Sequence, residues 1–338
     1  MPPLVIPIFI SHQGCPHRCI FCDQHTITGD ADRGEGPVTG ATVGSVIEQW
    51  LNHARREYSG GVQVAFYGGS FTGIPIKRQE ELLRAVKPYI DAGRVNTVRV
   101  STRPDYIDES RLALLRKHSV SIVELGLQSL DQGVLDCSAR GHTVHQSETA
   151  MRRLKEQGFL VGAQLMCGLP GDSTATLMAT TRKVATLAPD FVRIYPTLVI
   201  KGSGLERLYR QNLYKPLPLS KAIVLVRRME KIFAQHGIKV IRMGLQPSQE
   251  LERKVLAGPY HPAFGELVFS RDLFLQARSK LRTAEGTGIK HLAISAADES
   301  AFRGPDNVNM KKLDALGLLG GVRLILDKKQ PRHSVKIY

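Results

Sequence analysis

Three cysteines fall within eight residues near the start of the chain, in the run Cys15-Pro16-His17-Arg18-Cys19-Ile20-Phe21-Cys22. The spacing is C-x3-C-x2-C. Thiolates are soft ligands that select zinc or iron–sulfur clusters over hard cations. The chain has five cysteines in all, the others being Cys137 and Cys167. An odd number excludes a fully paired disulfide framework, and a tight thiol cluster reads as a metal site. Three ligands are one short of a closed zinc site or a fully ligated [4Fe-4S] cluster, each of which takes four. On spacing alone two readings stay open. His12, His17 or His25 completes a zinc site, or one coordination position has no protein ligand.

Such a loop needs a scaffold, and the hydrophobic pattern supplies one. Short apolar runs at Val5–Ile10, Val62–Tyr67, Thr97–Ser101, Ser121–Leu127, Leu160–Met166 and Phe191–Tyr195 read as strands. Amphipathic stretches near 41–57, 78–90, 108–117, 131–138, 144–157 and 173–187 read as the helices between them. Strands alternating with helices imply βαβ units, a parallel sheet and an α/β fold, either a barrel or an open doubly wound layer. A seventh run, Lys239–Arg242, follows a long helix near 219–236. Residues 1–245 are expected to form this core. Residues 246–338 are expected to form a C-terminal α+β extension, with helices near 248–256 and 262–284 and short strands at Lys290–Ser295, Val322–Leu326 and Val335–Tyr338.

The cysteine loop follows the first strand directly. In parallel α/β folds the loops at the carboxyl ends of strands bind ligands, so the polar and glycine residues that end the other strands belong to the same expected site. The second strand ends in Gly68-Gly69-Ser70, where glycine lets backbone approach a ligand closely. The third ends in Ser101-Thr102-Arg103, the fourth in Glu124-Leu125-Gly126-Leu127-Gln128, and the fifth in Gln164-Leu165-Met166-Cys167-Gly168. Glu124 inside an apolar strand needs a partner, and Arg103 or Arg140 is expected to supply it. Cys137 is expected to pack inside its helix and Cys167 to face the mouth of the fold. Tyr260 and His261, in Pro259-Tyr260-His261-Pro262, are expected in a helix-start turn, with a lid as the alternative.

The 338 residues carry 46 Lys and Arg against 31 Asp and Glu, a formal charge of +15. A basic surface attracts polyanions, nucleic acid first among them. The charge is spread along the chain rather than gathered in a tail, which leaves a merely solubilising role open. No stretch reaches the roughly 18 apolar residues of a membrane span. Leu4–Ile10 lacks the flanks of a secretory signal. The expected compartment is the cytoplasm, with no membrane partner.

The C-x3-C-x2-C spacing, with aromatic Phe21 before the third cysteine, resembles the signature of the radical S-adenosylmethionine (radical SAM) superfamily. The resemblance implies a partial (β/α)6 TIM-like barrel. It implies that Cys15, Cys19 and Cys22 hold three irons of a [4Fe-4S] cluster, and that the fourth iron chelates S-adenosylmethionine. The reduced cluster then splits the cosubstrate into methionine and a 5′-deoxyadenosyl radical, which takes a hydrogen atom from substrate. An electron donor such as flavodoxin or ferredoxin is implied as a partner. The runs Ser101–Tyr106, Val123–Ser129, Ala139–Thr143 and Tyr195–Leu205 narrow the likeness to the elongator catalytic subunit family, whose radical domain modifies wobble uridine in tRNA. Gly168–Gly171 and Gln128 also look like the oxygen-independent coproporphyrinogen oxidases.

By position, the resemblance assigns cosubstrate contacts to Phe21, Gly68, Gly69, Ser70, Ser101, Gln128 and Arg140. It assigns no catalytic residue beyond the cluster. Ser70 departs from the Gly-Gly-Glu-Pro of many members, and Ser101 from a glutamate that grips ribose in relatives. Residues 286–338 are too few for the acetyltransferase domain of the elongator proteins, so carboxymethyl transfer is not implied. RNA, by family likeness tRNA, is the expected substrate, with a small molecule such as a tetrapyrrole as the alternative. A non-catalytic iron–sulfur or metal-binding protein is the reading from a different class.

Overall fold

In a computed structural model the structure describes residues 3–16, 19–23, 38–53, 60–284 and 289–338. Seven parallel strands form the main sheet: β1 (Leu4–Phe9), β2 (Val62–Tyr67), β3 (Thr97–Thr102), β4 (Val120–Gln128), β5 (Leu160–Cys167), β6 (Phe191–Pro196) and, after a short β7 (Val199–Ile200), β8 (Lys239–Met243). They lie side by side in chain order, β1-β2-β3-β4-β5-β6-β8, and the sheet curls into a partial barrel. This is the α/β barrel expected, with one strand more than six. The extra strand is the run near 239–242, which pairs with β6 through Phe191–Lys239 and Arg193–Arg242.

The crossovers are α1 (Gly40–His53), α2 (Ile76–Asp91), α3 (Glu109–Lys117), α4 (Gln132–Cys137), α5 (Val144–Glu156) and α6 (Thr174–Thr186). A short α7 (Gly204–Arg210) and the long α8 (Leu219–Gln235) lead to β8. Local chemistry starts these helices where the sequence suggests. Thr143 and Gln146 form a capping box on α5, and Ser173 and Thr176 form one on α6, each satisfying two backbone N–H groups.

Side chains alternate across a strand, and here the alternation divides two environments. The outward set Ile6, Ile8, Val64, Phe66, Val98, Val100, Val123, Leu125, Val161, Leu165, Val192 and Ile194 is buried beneath the helices in one apolar core. The inward set includes Gln63, Tyr67, Arg99, Ser101, Glu124, Gln164 and Arg193. Gly162 is also inward: a Cβ there would lie 2.3 Å from the Phe191 ring, so its missing side chain makes room for that ring as the barrel's floor.

Beyond β8 come α9 (Gln249–Lys254), β9 (Val255–Ala257), α10 (Phe264–Thr283), β10 (Lys290–Ser295), α11 (Glu299–Arg303), α12 (Val308–Ala315), β11 (Val322–Asp327) and β12 (Val335–Ile337). β10 pairs in parallel with β11 and antiparallel with β12, making a small separate sheet. β7 and β9 pair antiparallel. They are two and three residues long, too short for periodicity to reveal. α10 belongs to both bodies. Its Phe264 and Val268 join the barrel core, while Leu273, Ala277 and Leu281 join the core of the small sheet. Asp272 on the same helix pairs with Arg227 and Lys231 of α8, both at 2.7 Å. No described helix is long and apolar enough to cross a membrane.

Phe233, fully buried on α8, packs in the barrel core. Phe233→Ala is expected to destabilise the protein by about 3–5 kcal/mol. Guanidinium unfolding measures it, and a loss below about 1 kcal/mol would contradict this packing.

Candidate active site

The cysteine loop is bound to the end of β2 by backbone contact. Ile10 N donates to Tyr67 O, His12 N to Gly68 O, and Ser70 N to Gln13 O. The approach is so close that side chains are excluded. A Cβ on Gly14 would lie 2.1 Å from Ser70 O, and one on Gly69 would lie 2.5 Å from Ile10 O. The loop's far side is tied down as well. Ile20 N donates to Ser138 O just after α4, and Leu205 N of α7 donates to Ile20 O.

The loop forms one wall of a cleft of about 560 Å³ at the carboxyl ends of the strands. Its lining comprises His12, Cys15, Cys19, Phe21, Cys22, Gly69, Ser101, Thr102, Arg103, Gly126, Gln128, Arg140 and Gln164. All three cysteines of the motif meet there. Among the described residues no three His, Cys, Asp or Glu side chains converge as ligands of a single metal ion. His17 and His25 lie outside the described residues.

The lining is polar, buried and incompletely satisfied. Arg140 is 7% exposed and faces no carboxylate within hydrogen-bond reach among the described residues; it donates through Nη1 to Cys19 Sγ at 3.3 Å and through Nη2 to Gly126 O at 2.6 Å. Its Nε has no partner, and neither do Ser101 Oγ or Gln128 Oε1, among the described residues. Gln128 holds a left-handed backbone, φ +65°, at an irregularity in the β4–β5 register. Unpaired buried polar groups of this kind are costly unless something fills the site. Arg103 is held differently: its guanidinium forms a two-pronged bond to Asp105, both contacts 2.9 Å, and donates to Arg140 O at 2.7 Å. Burial pushes the Cys15 thiol up, against the opposing pull of Arg140. Burial also depresses His142 to about 4, with the Arg140 and Arg103 charges adding to it.

The sequence profile of the Radical SAM superfamily matches residues 9–184, the segment that carries this cleft. The chain belongs to the radical SAM superfamily. A Radical_SAM C-terminal domain profile matches residues 189–272. Similar curated proteins include a tRNA uridine(34) acetyltransferase of Methanocaldococcus infernus, 28% identical over 68% of this chain and 49% of the relative. Elongator complex protein 3 of Bos taurus is 27% identical over 68% of this chain and 45% of its own length. The chain thus spans about half the length of the curated relatives it matches. Among solved structures, the archaeal Methanocaldococcus infernus Elp3 with an N-terminal deletion aligns at TM-score 0.62 and 21% identity, covering 80% of this chain and 63% of that one. Coproporphyrinogen III oxidase from Escherichia coli aligns at TM-score 0.50 and 19% identity, over 70% and 53%. Both show the same fold.

Within the radical SAM core, eight residues to which the resemblance assigned a role line the cleft: Cys15, Cys19, Cys22, Phe21, Gly69, Ser101, Gln128 and Arg140. Gly68 and Ser70 lie behind the lining. Gly68 takes φ +83° and its carbonyl accepts from His12 N. The Ser70 hydroxyl, fully buried, bonds Thr102 Oγ1 at 3.0 Å and accepts from Arg103 N at 3.3 Å, stapling β2 to β3. Thr102, Gly126 and Gln164 also line the cleft. They were expected there, with Arg103, as residues at the ends of β3, β4 and β5.

Three expectations are corrected. Glu124 does not pair with Arg103 or Arg140. It receives Arg99 Nη1 at 2.8 Å and Gln164 Nε2 at 2.9 Å, with Arg193 Nε at 3.1 Å. The reason is strand parity: Arg99 and Arg193 point inward from mid-strand, whereas Arg103 lies beyond the end of β3. Cys137 is exposed at the end of α4 rather than buried. Cys167 is fully buried in the barrel core, its thiol pushed up to about 12 by burial, and does not line the cleft. Tyr260 donates to Glu252 at 2.9 Å, and His261 Nδ1 accepts from Ala263 N at 3.0 Å, which makes them a helix-start turn.

Removing the Glu124 charge strands two buried guanidiniums. Glu124→Gln is expected to cost about 3–5 kcal/mol in guanidinium unfolding, and an unchanged midpoint would refute the network. His142 binds a proton more readily when unfolded, so stability falls as pH drops from its ordinary value near 6.5 toward about 4. His142→Gln should flatten that window, removing up to about 3 kcal/mol of pH-dependent stability. An unaltered pH profile of unfolding would show that His142 does not titrate in this way.

Proposed function

We propose that this chain is the radical-generating core of an RNA-modifying enzyme. Cys15, Cys19 and Cys22 hold a [4Fe-4S] cluster, and the cleft beside them receives S-adenosylmethionine. The observation that carries this is the cleft itself, in which three thiols meet an uncompensated arginine and several orphaned polar atoms. Thiolates that each take a different iron of a cluster need not converge on one point, and these do not converge as ligands of a single ion. Arg140 lies where it offsets thiolate charge and, through its unpartnered Nε, can meet a carboxylate. Ser101 Oγ and Gln128 Oε1 offer hydrogen bonds to hydroxyl or amino groups. Phe21, 8% exposed and packed with Cys19, Leu169 and Tyr214, keeps water from one side of the cleft.

When bound, the cluster and cosubstrate supply one-electron cleavage to methionine and a 5′-deoxyadenosyl radical, which takes a hydrogen atom from substrate. An electron donor of the flavodoxin or ferredoxin class is the expected partner. The formal charge of +15 and the names of the relatives, a tRNA uridine(34) acetyltransferase among them, support tRNA as that substrate.

The test is anaerobic reconstitution followed by reduction with dithionite, with and without bulk tRNA. About four irons per chain are expected, together with slow formation of 5′-deoxyadenosine that tRNA accelerates and Cys19→Ala abolishes. Stoichiometric zinc without iron would remove the cluster. Binding of tRNA should weaken steeply with salt; absent or salt-independent binding would turn the assignment toward a small-molecule substrate.

A further inference from the structure

The core of a (β/α)-barrel is ordinarily filled by layers of branched apolar side chains. This barrel is filled differently. Arg99 and Arg193 reach inward from β3 and β6 to the single carboxylate of Glu124. Arg242 of β8 stands in register with Arg193 on the same face of the sheet. Arg242 has no hydrogen-bond or ion-pair partner among the described residues. Two guanidiniums therefore share one carboxylate and a third stands beside them on the next strand, and like charges side by side on neighbouring strands destabilise a sheet.

Neutral partners do not relieve the excess. Arg99 Nη2 donates to Gln63 Oε1 at 2.9 Å, and Arg193 Nη2 to Tyr67 OH at 3.1 Å. Tyr67 itself is held in the neutral form, its phenol raised by burial and by Glu124. Arg99, 7% exposed, leaves its Nε without a partner. Arg193 Nε lies near enough to Glu124 for ion pairing, yet its geometry makes no hydrogen bond.

The position of this cluster indicates what it serves. Arg99, Glu124 and Arg193 lie one inward position below Ser101, Gly126 and Tyr195, and Ser101 and Gly126 line the cleft. Two residues along a strand is about 6–7 Å. Gln164 connects the levels, lining the cleft while donating to Glu124. The Phe191 ring packs beneath the cluster, with the Arg99 guanidinium 5.2 Å from its centre. The cluster is polar, carries more positive than negative charge, and is tied to the cleft above it through Gln164.

We propose that this arginine cluster is an anion-binding site in which Arg193 and Arg242 receive a phosphate or carboxylate group of the substrate, about one pleat below the reacting position. Guanidiniums recognise both groups by paired N–H donors. Glu124 holds Arg99 and Arg193 in place while leaving the surplus positive charge for the ligand. The inference deepens the proposed function, since the anion is read as part of the molecule that yields a hydrogen atom. Anion binding itself requires neither cluster nor cosubstrate.

The test is calorimetric titration of the anaerobically reconstituted protein with inorganic phosphate and, separately, with acetate, at ionic strength held constant with chloride. The expected result is saturable binding of one of the two, which tells phosphate from carboxylate, weakened about tenfold or more by Arg242→Gln. Arg228→Gln removes an exposed charge from α8 and should leave binding unchanged. No saturable binding of either anion overturns the proposal, as does equal binding by wild type and Arg242→Gln, or equal weakening by Arg228→Gln. If Arg242→Gln does not fold, Arg242→Lys is titrated instead: weaker binding than wild type supports the site, and unchanged binding overturns it. Iron content of the same samples reports on the cluster separately, so the two readings fail independently.

Discussion

Backbone-to-backbone contact between the cysteine loop and the end of β2 governs everything built above the barrel. Gly14 and Gly69 meet Ser70 and Ile10 at distances that leave no room for a Cβ on either glycine. Backbone packed this tightly has few alternative positions, and the amide donations from His12 and Ser70 remove more. The loop therefore leaves β1 along a set path, carrying Cys15, Cys19 and Cys22 over the mouth of the sheet. Ser70 extends the constraint to the next strand by bonding Thr102 and Arg103. The glycines and serine expected to touch a cosubstrate serve first as structural joints, and of the three only Gly69 also faces the cleft.

The second organising feature is charge inside the barrel. Arginine enters the cleft as Arg140 and the barrel interior below as Arg99 and Arg193, with Arg242 in register beside Arg193. Glu124 is the carboxylate common to Arg99 and Arg193. A buried ion cluster gives little net stability, because desolvation offsets most of the Coulomb attraction, but removing one member leaves the rest exposed to the full penalty. Such a cluster is therefore costly to keep as mere scaffolding. An arrangement that leaves guanidinium N–H groups without acceptors suits a ligand that arrives with negative charge.

The small C-terminal sheet bears on the barrel through one helix. α10 contributes to both cores, and Asp272 near its middle joins Arg227 and Lys231 of α8. The expected division near residue 245 falls in the connection between β8 and α9. Apolar contact continues across it, because a helix of 20 residues is long enough to present one turn to the barrel and the next to the small sheet.

Local rules were enough to read much of this from sequence. Apolar runs and helical stretches gave every strand of the main sheet to within about two residues, and spacing brought the three cysteines together after β1. Strand-end placement drew Ser101 and Gln128 into the cleft, and the family resemblance drew in Arg140. What the sequence could not resolve depended on the partner strand. The inward set was hidden because Arg99, Glu124 and Arg193 each sit alone among apolar neighbours, and only register brings them within reach of one another. The exposure of Cys137 and the burial of Cys167 were likewise decided by what packs on each, which no single run of residues contains. Sequence alone determined the parallel α/β order and the thiol motif, because both arise from spacing along one chain segment. Tertiary structure alone determined the charge pairing inside the barrel, because Coulomb and hydrogen-bond energies depend on distances between strands.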